Sequence, residues 1–542
     1  MVLQGTKLYY NALFAGSLGF ITFGWDAGVL GGVLLTPEFM SAVGNPTDTY
    51  KISMITSTFL LASWFGCMVI TFFGIHLGRK NWILLGNAVE LVGTIISASS
   101  YSYGQLIAGR VFIGIGNGFL TSMIPVYMAE IATEKKLRGR GVNAMIAAAS
   151  LGTALAYWVD FGMVFAHGTQ AVWRFPVAFQ AFWGVSTMIA FMRLPETPRY
   201  YYAKGQVEKA DSTLEQVYGM DLTEGRVQQA KAEILAALEL ELAAAPSLKV
   251  MDFFWDSSSM QVARRIRTGV LLIGIAYLMG IDMIFYYMTT IFQVYIGLEP
   301  LTSSGLAGTA TTVLAITNYL GVYYMEKFGR RTWLITGAVV QTIFMATFTG
   351  LLSSPGTKTG AAAAAMLFIW IAVFGPTWGP VTYVYASEIM PLRYRHIGFA
   401  LSVSSQWLMA FTTVFAGPIA IADKSVGWKT WIWFLVFNFI AIPYGERYLQ
   451  MVESQRADLT TVYFCCPETR GRTLEEIDLI FITDTLKDTT AAKTLEHEGH
   501  ESELTSELDS VNEKTIQTQE QGVDVAKSAD MEAPKEAPES SS

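Results

Sequence analysis

Two ionisable residues stand where ionisable residues are costly. Asp26 lies in FGWDAGV, deep in a long apolar run, and Arg110 lies inside another. A lone charge at mid-membrane costs about 2.5–3.5 kcal/mol unless it is protonated, hydrated or paired. Arg110 is the obvious partner for Asp26. A carboxylate that alternates between a guanidinium and an open pathway changes its hold on a proton as the partner moves. Proton carriage is therefore the chemistry these two types can do, and a purely structural buried ion pair is the competing reading. Asp282, in a later run, is a third such group. It could accept a hydroxyl, add a second protonation site, pair with a cationic group, or simply be hydrated.

The other charges come in duplicate. GRK (78–80) reappears as GRR (329–331), VYMAEI (126–131) as VYASEI (384–389), and PET (195–197) again at 467–469. Leu137, Arg138 and Arg140 after the first glutamate correspond to Leu392, Arg393 and Arg395 after the second. The glycine-arginine elements are 251 residues apart (78 to 329) and the glutamates 258 (130 to 388). A chain made of two similar apolar halves with matching charged punctuation is built to rock around a site between them.

The elements that must position these residues are membrane helices. Apolar residues are 52% of the 542, charged residues 15%, and mean hydropathy is +0.37, too apolar for a soluble domain. Runs near 9–34, 52–74, 82–99, 104–131, 141–166 and 174–194, then 266–296, 302–325, 333–352, 361–389, 396–422 and from 428, make about twelve crossings. The expected division is a bundle over 1–194, a charged helical linker over 195–265, a second bundle over 266–466 and a polar acidic tail over 467–542. Basic residues cluster in alternate loops, which puts those loops and both termini in the cytoplasm. Cys67, Cys465 and Cys466 read as packing residues without disulfides, and no cleavable signal is evident.

The last crossing is anomalous. Sixteen apolar residues (428–443) are followed by YGERYLQMVESQRADLT (444–460), whose charges cannot lie in lipid, and then by TVYFCC. Removing the 17 residues restores a 22-residue span and brings the PET repeat from 272 to 255 residues, in line with the other repeats. The expectation is that the stretch is foreign to the fold, a retained short intron; the alternative is a real insertion that leaves a short last helix and a cytoplasmic excursion.

Together PETPR (195–199), EKFGRR (326–331), PETRGRTLEEID (467–478), WRFPVAFQ (173–180), AYWVDFG (156–162) and WGPVTYVYASEIMPLR (378–393) resemble the sugar porter family of the major facilitator superfamily, most closely its fungal members, over roughly 10–480. The resemblance implies an all-α membrane protein of two pseudo-symmetric six-helix bundles. It implies import of a sugar or polyol across the plasma membrane by alternating access, with Asp26 taking a proton and Arg110 tuning it. It implies that Arg79, Glu130, Arg138, Glu326, Arg330, Glu388 and Arg393 form a latch on the cytoplasmic side, with membrane anchoring as the plainer alternative. The usual acid–base pair of the first latch loop is replaced by Ile75 and His76.

The implied solute site is Phe23, Asp282, Tyr286, Tyr287, Trp378, Tyr383, Gln406 and Trp407. Here the departures are largest. Ala276 and Tyr277 stand for two glutamines, Asp282 for an asparagine, Ile146 for a glutamine and Leu314 for an asparagine. Fewer amides leave fewer paired donor–acceptor groups for hydroxyls. A receptor that does not transport, and a uniport facilitator, are the alternative functions. The expected partners are a sugar or polyol, a proton and the lipid bilayer. No cofactor, metal, nucleic-acid or enzymatic feature is expected. GIGNG (114–118) sits inside an apolar helix without a preceding strand, HEGH (497–500) has the wrong spacing for zinc, and Glu90 has no evident place.

Overall fold

The computed structural model describes residues 3–446 except 35, 167, 245–260, 355–356, 391–393 and 424. In chain order the helices are α1 (Gly5–Val33), α2 (Pro37–Ala42), α3 (Thr49–Leu77), α4 (Arg79–Ala98), α5 (Tyr103–Ile131), α6 (Lys135–Met163), α7 (Ala171–Met192), α8 (Pro198–Ala203), α9 (Val207–Tyr218), α10 (Gly225–Ala244), α11 (Val262–Leu278), α12 (Ile281–Thr290), α13 (Pro300–Phe328), α14 (Arg330–Leu352), α15 (Thr357–Phe374), α16 (Trp378–Ile389), α17 (Arg395–Ala422) and α18 (Thr430–Glu446). Among the described residues ten helical stretches are long and apolar enough to cross a membrane. Helices α13 and α18 fill the two remaining places in the pattern.

The sequence repeat becomes a packing repeat. In the first half α1 lies on α6, α4 on α5 and α7; in the second, α11 lies on α17, α14 on α15 and α18. The halves meet reciprocally, α3 against α17 and α13 against α6. The duplicated glycine-arginine elements explain the tight joints. Gly78 (φ 89°) and Gly329 (φ 80°) each reverse the chain in one residue, a left-handed conformation that costs glycine little. Local chemistry sets other helix starts. The Asp48 carboxylate accepts from Tyr50 N at 2.9 Å and Ser102 Oγ from Gln105 N at 3.3 Å.

Close helix approach depends on small residues. A Cβ on Gly24 would sit 1.8 Å from Ala149 O of α6. Backbone cannot yield there as a flexible side chain would, so Gly24→Ala should exceed the usual ~1–3 kcal/mol of overpacking. The expected result is a sharply lower thermal midpoint in detergent and loss of the monodisperse peak in size-exclusion chromatography. Gly162→Ala, into open space, is the control and should match the parent chain.

Two expected crossings differ from the sequence reading. The run 266–296 is not one helix: it breaks at Gly280 (φ 109°), and Tyr287 inside α12 is non-helical before a π-helical turn over Ile291–Tyr295. The run 361–389 breaks at Gly375, Pro376 and Thr377. Hydropathy alone does not register these breaks. Helix α18 also carries on through 444–446, which the sequence reading gave to the insert. Residues 447–460, the second PET, Cys465, Cys466 and the tail lie outside the described residues.

Between the halves α8–α10 form a small cluster with its own core of Tyr202, Ala210, Leu214, Val227, Ile234 and Ala237. The Tyr202 hydroxyl donates to Asp211, which also pairs with Lys231 at 2.9 Å. Gln216 Nε2 donates to Leu3 O at 3.0 Å, docking α9 on the start of α1.

Candidate functional site

The site is assembled at the seam. Arg110 Nη1 of α5 donates to Asp26 Oδ1 of α1 at 2.6 Å, and the guanidinium lies over the Phe59 ring of α3 at 4.7 Å. Both members of the pair are buried, at 1% and 2% exposure, so neither is a surface anchor. Tyr286 of α12, in the other half, faces Arg110. Asp282, in the first turn of the same helix just after the Gly280 break, lies within electrostatic reach of Tyr277, Tyr286 and Tyr383. The Tyr383 hydroxyl bonds Gln406 of α17. Beside it Trp407 packs edge-on against Phe23 at 5.3 Å and Phe59 at 5.8 Å.

Hydrogen bonding thus runs from Asp26 through Arg110 to Tyr286, crossing from one half to the other, with Asp282 and the Tyr383–Gln406 pair close by in the second half. Several polar atoms here make no well-formed hydrogen bond within the protein: Asp26 Oδ2, Asp282 Oδ2, Tyr286 OH, Gln406 Nε2 and Trp407 Nε1. Buried orphan atoms are expensive, and a hydroxylated solute would satisfy them.

The predicted residues do not all converge. Tyr287 shares a hydrogen bond with Thr56 of α3 at 2.7 Å, so it bridges the halves toward the end opposite the basic loops. Trp378 is tied within the second half, its indole N–H donating to Leu334 O of α14 at 2.9 Å. Its aromatic type suggested a solute wall; its place after the α15–α16 break makes it a brace within the second half.

At the basic end the two repeats give the same pair twice. Arg79 Nη2 meets Glu130 Oε1 at 3.1 Å, and Arg330 Nη2 meets Glu388 Oε1 at 3.1 Å. Arg395 Nη1 of the second half approaches Glu130 Oε1 at 3.8 Å, a buried contact across the seam. The side chains of Arg138, on α6, and Glu326, on α13, lie outside the described residues, as do Arg393 and the Ile75 side chain. His76 is exposed at the end of α3.

Sequence reasoning missed the work of the first PET string. Pro195 O accepts from Tyr127 OH at 2.8 Å, Glu196 Oε2 accepts from Lys80 N at 3.0 Å to cap α4, and Thr197 Oγ1 donates to Glu130 Oε2 at 2.7 Å. Burial raises the Glu196 carboxyl above its ordinary range, although Thr197 N and Lys80 N donate to it and Arg79 lies near. The duplication of PET was the signal for this role. Likewise Arg395 was visible as the counterpart of Arg140 but was given no contact.

The opposite end is also tied. The Tyr157 hydroxyl of α6 donates to Phe285 O, and Trp158 Nε1 to Thr312 Oγ1 of α13 at 2.9 Å. Tyr50 and Phe415 approach at 6.5 Å between ring centres. With contacts at both ends, the halves enclose the seam.

Comparison with known proteins agrees with this architecture. Sugar transporter STL1 of Saccharomyces cerevisiae is 29% identical over 492 residues, 88% of this chain and 82% of that protein. The high glucose sensor RGT2 of the same yeast is 28% identical over 476 residues, 86% of this chain and 59% of the sensor. Among solved structures, the proton:xylose symporter XylE of E. coli, bound to 6-bromo-6-deoxy-D-glucose, superposes with a TM-score of 0.75 at 19% identity, over 88% of this chain and all of XylE. Residues 12–481 match the family described as Sugar (and other) transporter. The chain belongs to that family, and is a multi-pass membrane protein of the major facilitator fold.

Proposed function

We propose that the protein imports a sugar or polyol across the plasma membrane by proton symport with alternating access, its basic loops and both termini cytoplasmic. The observation that carries this reading is the Asp26–Arg110 pair lying against Tyr286 of the other half. Any motion that parts the halves changes the surroundings of that guanidinium, and with them the hold of Asp26 on a proton. Solute binding and protonation are then coupled through one conformational equilibrium, as symport requires. The names of STL1 and XylE point the same way.

In this reading Asp282 Oδ2 accepts a solute hydroxyl, Gln406 Nε2 and Trp407 Nε1 donate, Tyr286 and Tyr383 orient, and Phe23 and Trp407 stack on an apolar sugar face. Tyr287 closes the far side, and Trp378 holds the second half in shape. The pairs Arg79–Glu130 and Arg330–Glu388, together with Arg138, Glu326 and Arg393, hold the cytoplasmic side shut. Charge-assisted bonds of this kind bias a two-state equilibrium by a few kcal/mol.

A second reading, a receptor on the same scaffold, is favoured by the similarity to RGT2 and by the amides replaced at Ala276, Tyr277, Ile146 and Leu314. Reconstituted vesicles decide. Hexoses, pentoses, disaccharides and linear polyols are offered with and without an inward proton gradient. The expected result is accumulation of at least one solute, collapsed by a protonophore. Flux that ignores the proton gradient supports a facilitator, and binding without flux supports the receptor.

A further inference from the structure

A second buried carboxyl stands behind Asp26. Glu90 lies in the middle of α4 at 2% exposure, and its Oε1 accepts from Gln180 Nε2 of α7 at 3.1 Å. Gln180, itself buried, also faces the Asp26 carboxyl, and Asp26 and Glu90 are near enough to feel each other's charge. Three acceptor oxygens in this small space make no well-formed hydrogen bond, Asp26 Oδ2, Glu90 Oε2 and Gln180 Oε1, and the one amide group of Gln180 serves both carboxyls. Two carboxyls and one amide therefore gather around a deficit of hydrogen, beside the single guanidinium of Arg110.

The surroundings of Glu90 offer no other charge. From α1 it meets Asp26, and from α7 the neutral Gln180. From α5 the Gly116 backbone packs against it, and Arg110 on that helix is directed to Asp26 and Phe59. The charged or titratable residues near the ends of α3, Tyr50, Lys51 and His76, are exposed, and its buried Cys67 is engaged by Gly118 O and Ser122 of α5. With one guanidinium and two carboxyls, the site is neutral only when it retains one proton.

We propose that Glu90 and Asp26 form a proton-sharing dyad bridged by Gln180, in which Glu90 keeps the proton while Asp26 is paired with Arg110 and passes it to Asp26 when that pair opens. In the transfer the O–H bond at Glu90 breaks and one forms at Asp26 Oδ2. Glu90 becomes the carboxylate, Asp26 becomes neutral, and the net charge of the site is unchanged. Glu90 is then reloaded from water on the side that has opened. The inference rests on the reading of Asp26 as the transported proton's carrier.

The test is the pH dependence of gradient-driven uptake in vesicles, using the solute the parent chain accumulates best. In Glu90→Gln the negative neighbour that helps Asp26 hold its proton is gone. Half-maximal uptake should then need about tenfold more protons, with accumulation kept at acidic pH. Glu90→Asp should stay near the parent midpoint. An unchanged midpoint in Glu90→Gln overturns the dyad. If that variant does not reach the membrane, Gln180→Leu, which removes the bridge and leaves both carboxyls, is read instead: a moved midpoint supports the dyad and an unmoved one overturns it. Should Asp26→Asn still accumulate solute, the underlying reading fails, which is a different result from failure of the dyad alone.

Discussion

Asn in place of Asp26 should end accumulation while leaving exchange down a concentration gradient. The amide keeps the shape and a hydrogen bond to Arg110 but cannot carry a proton. Each pH unit of gradient is worth about 1.4 kcal/mol, or about tenfold in solute concentration, to a one-proton symporter. The substituted protein should therefore equilibrate its solute and stop there, where the parent chain concentrates it about tenfold per unit. Counterflow measured with labelled solute on both sides, with the pH equal, should persist. The pair is buried and its loss of charge leaves Arg110 uncompensated, so some loss of folded protein is expected and uptake is scored per folded molecule. Undiminished concentration by Asp26→Asn would remove the proton role from this residue.

The second large effect is at Glu130. Its carboxylate serves Arg79 at 3.1 Å, Thr197 at 2.7 Å and, across the seam, Arg395 at 3.8 Å. Glu130→Gln leaves two buried guanidiniums facing a neutral amide. Removing one partner of a buried ion pair costs about 3–5 kcal/mol because the other charge stays desolvated. That cost falls on the state in which the basic end is shut and is relieved when it opens to water. A bias of this size moves a two-state equilibrium about a hundredfold or more. Amide hydrogen exchange should rise in the last turn of α5 and the first turn of α17, and turnover should fall at least tenfold, since a transporter that cannot close one side cannot complete its cycle. Exchange identical to the parent in those two turns would show that these contacts are anchors and no latch.

Much of this was legible in the chain because a gene-level duplication writes charge at fixed intervals. The paired arginines and glutamates and the glycine joints at Gly78 and Gly329 follow from residue types recurring at matched places, and the partnership of Asp26 with Arg110 from two ionisable residues standing inside apolar runs. What was not legible falls into two kinds. Breaks within apolar runs, at Gly280 and at Gly375–Thr377, change no residue's hydropathy and so leave the runs 266–296 and 361–389 looking continuous. Contacts between remote helices of one half, such as Glu90 with Gln180, are separated by 90 residues and obey no local period. Trp378 illustrates the limit in the other direction: its type and motif suggested a solute wall, and only the direction of its indole N–H toward Leu334 assigns it to the frame.

The asymmetry of the breaks has a consequence for inhibition. Helices α1 and α5, which supply Asp26 and Arg110, run unbroken for 29 residues each, whereas the matching crossings of the second half are jointed at α11–α12 and α15–α16. One wall of the seam is thus an anvil and the other a jaw. A stiff compound seated on the anvil meets the same relief at every stage of turnover, while one gripping the jaw must choose a stage, so blockers of the first kind should compete from either side of the bilayer and blockers of the second from one side only.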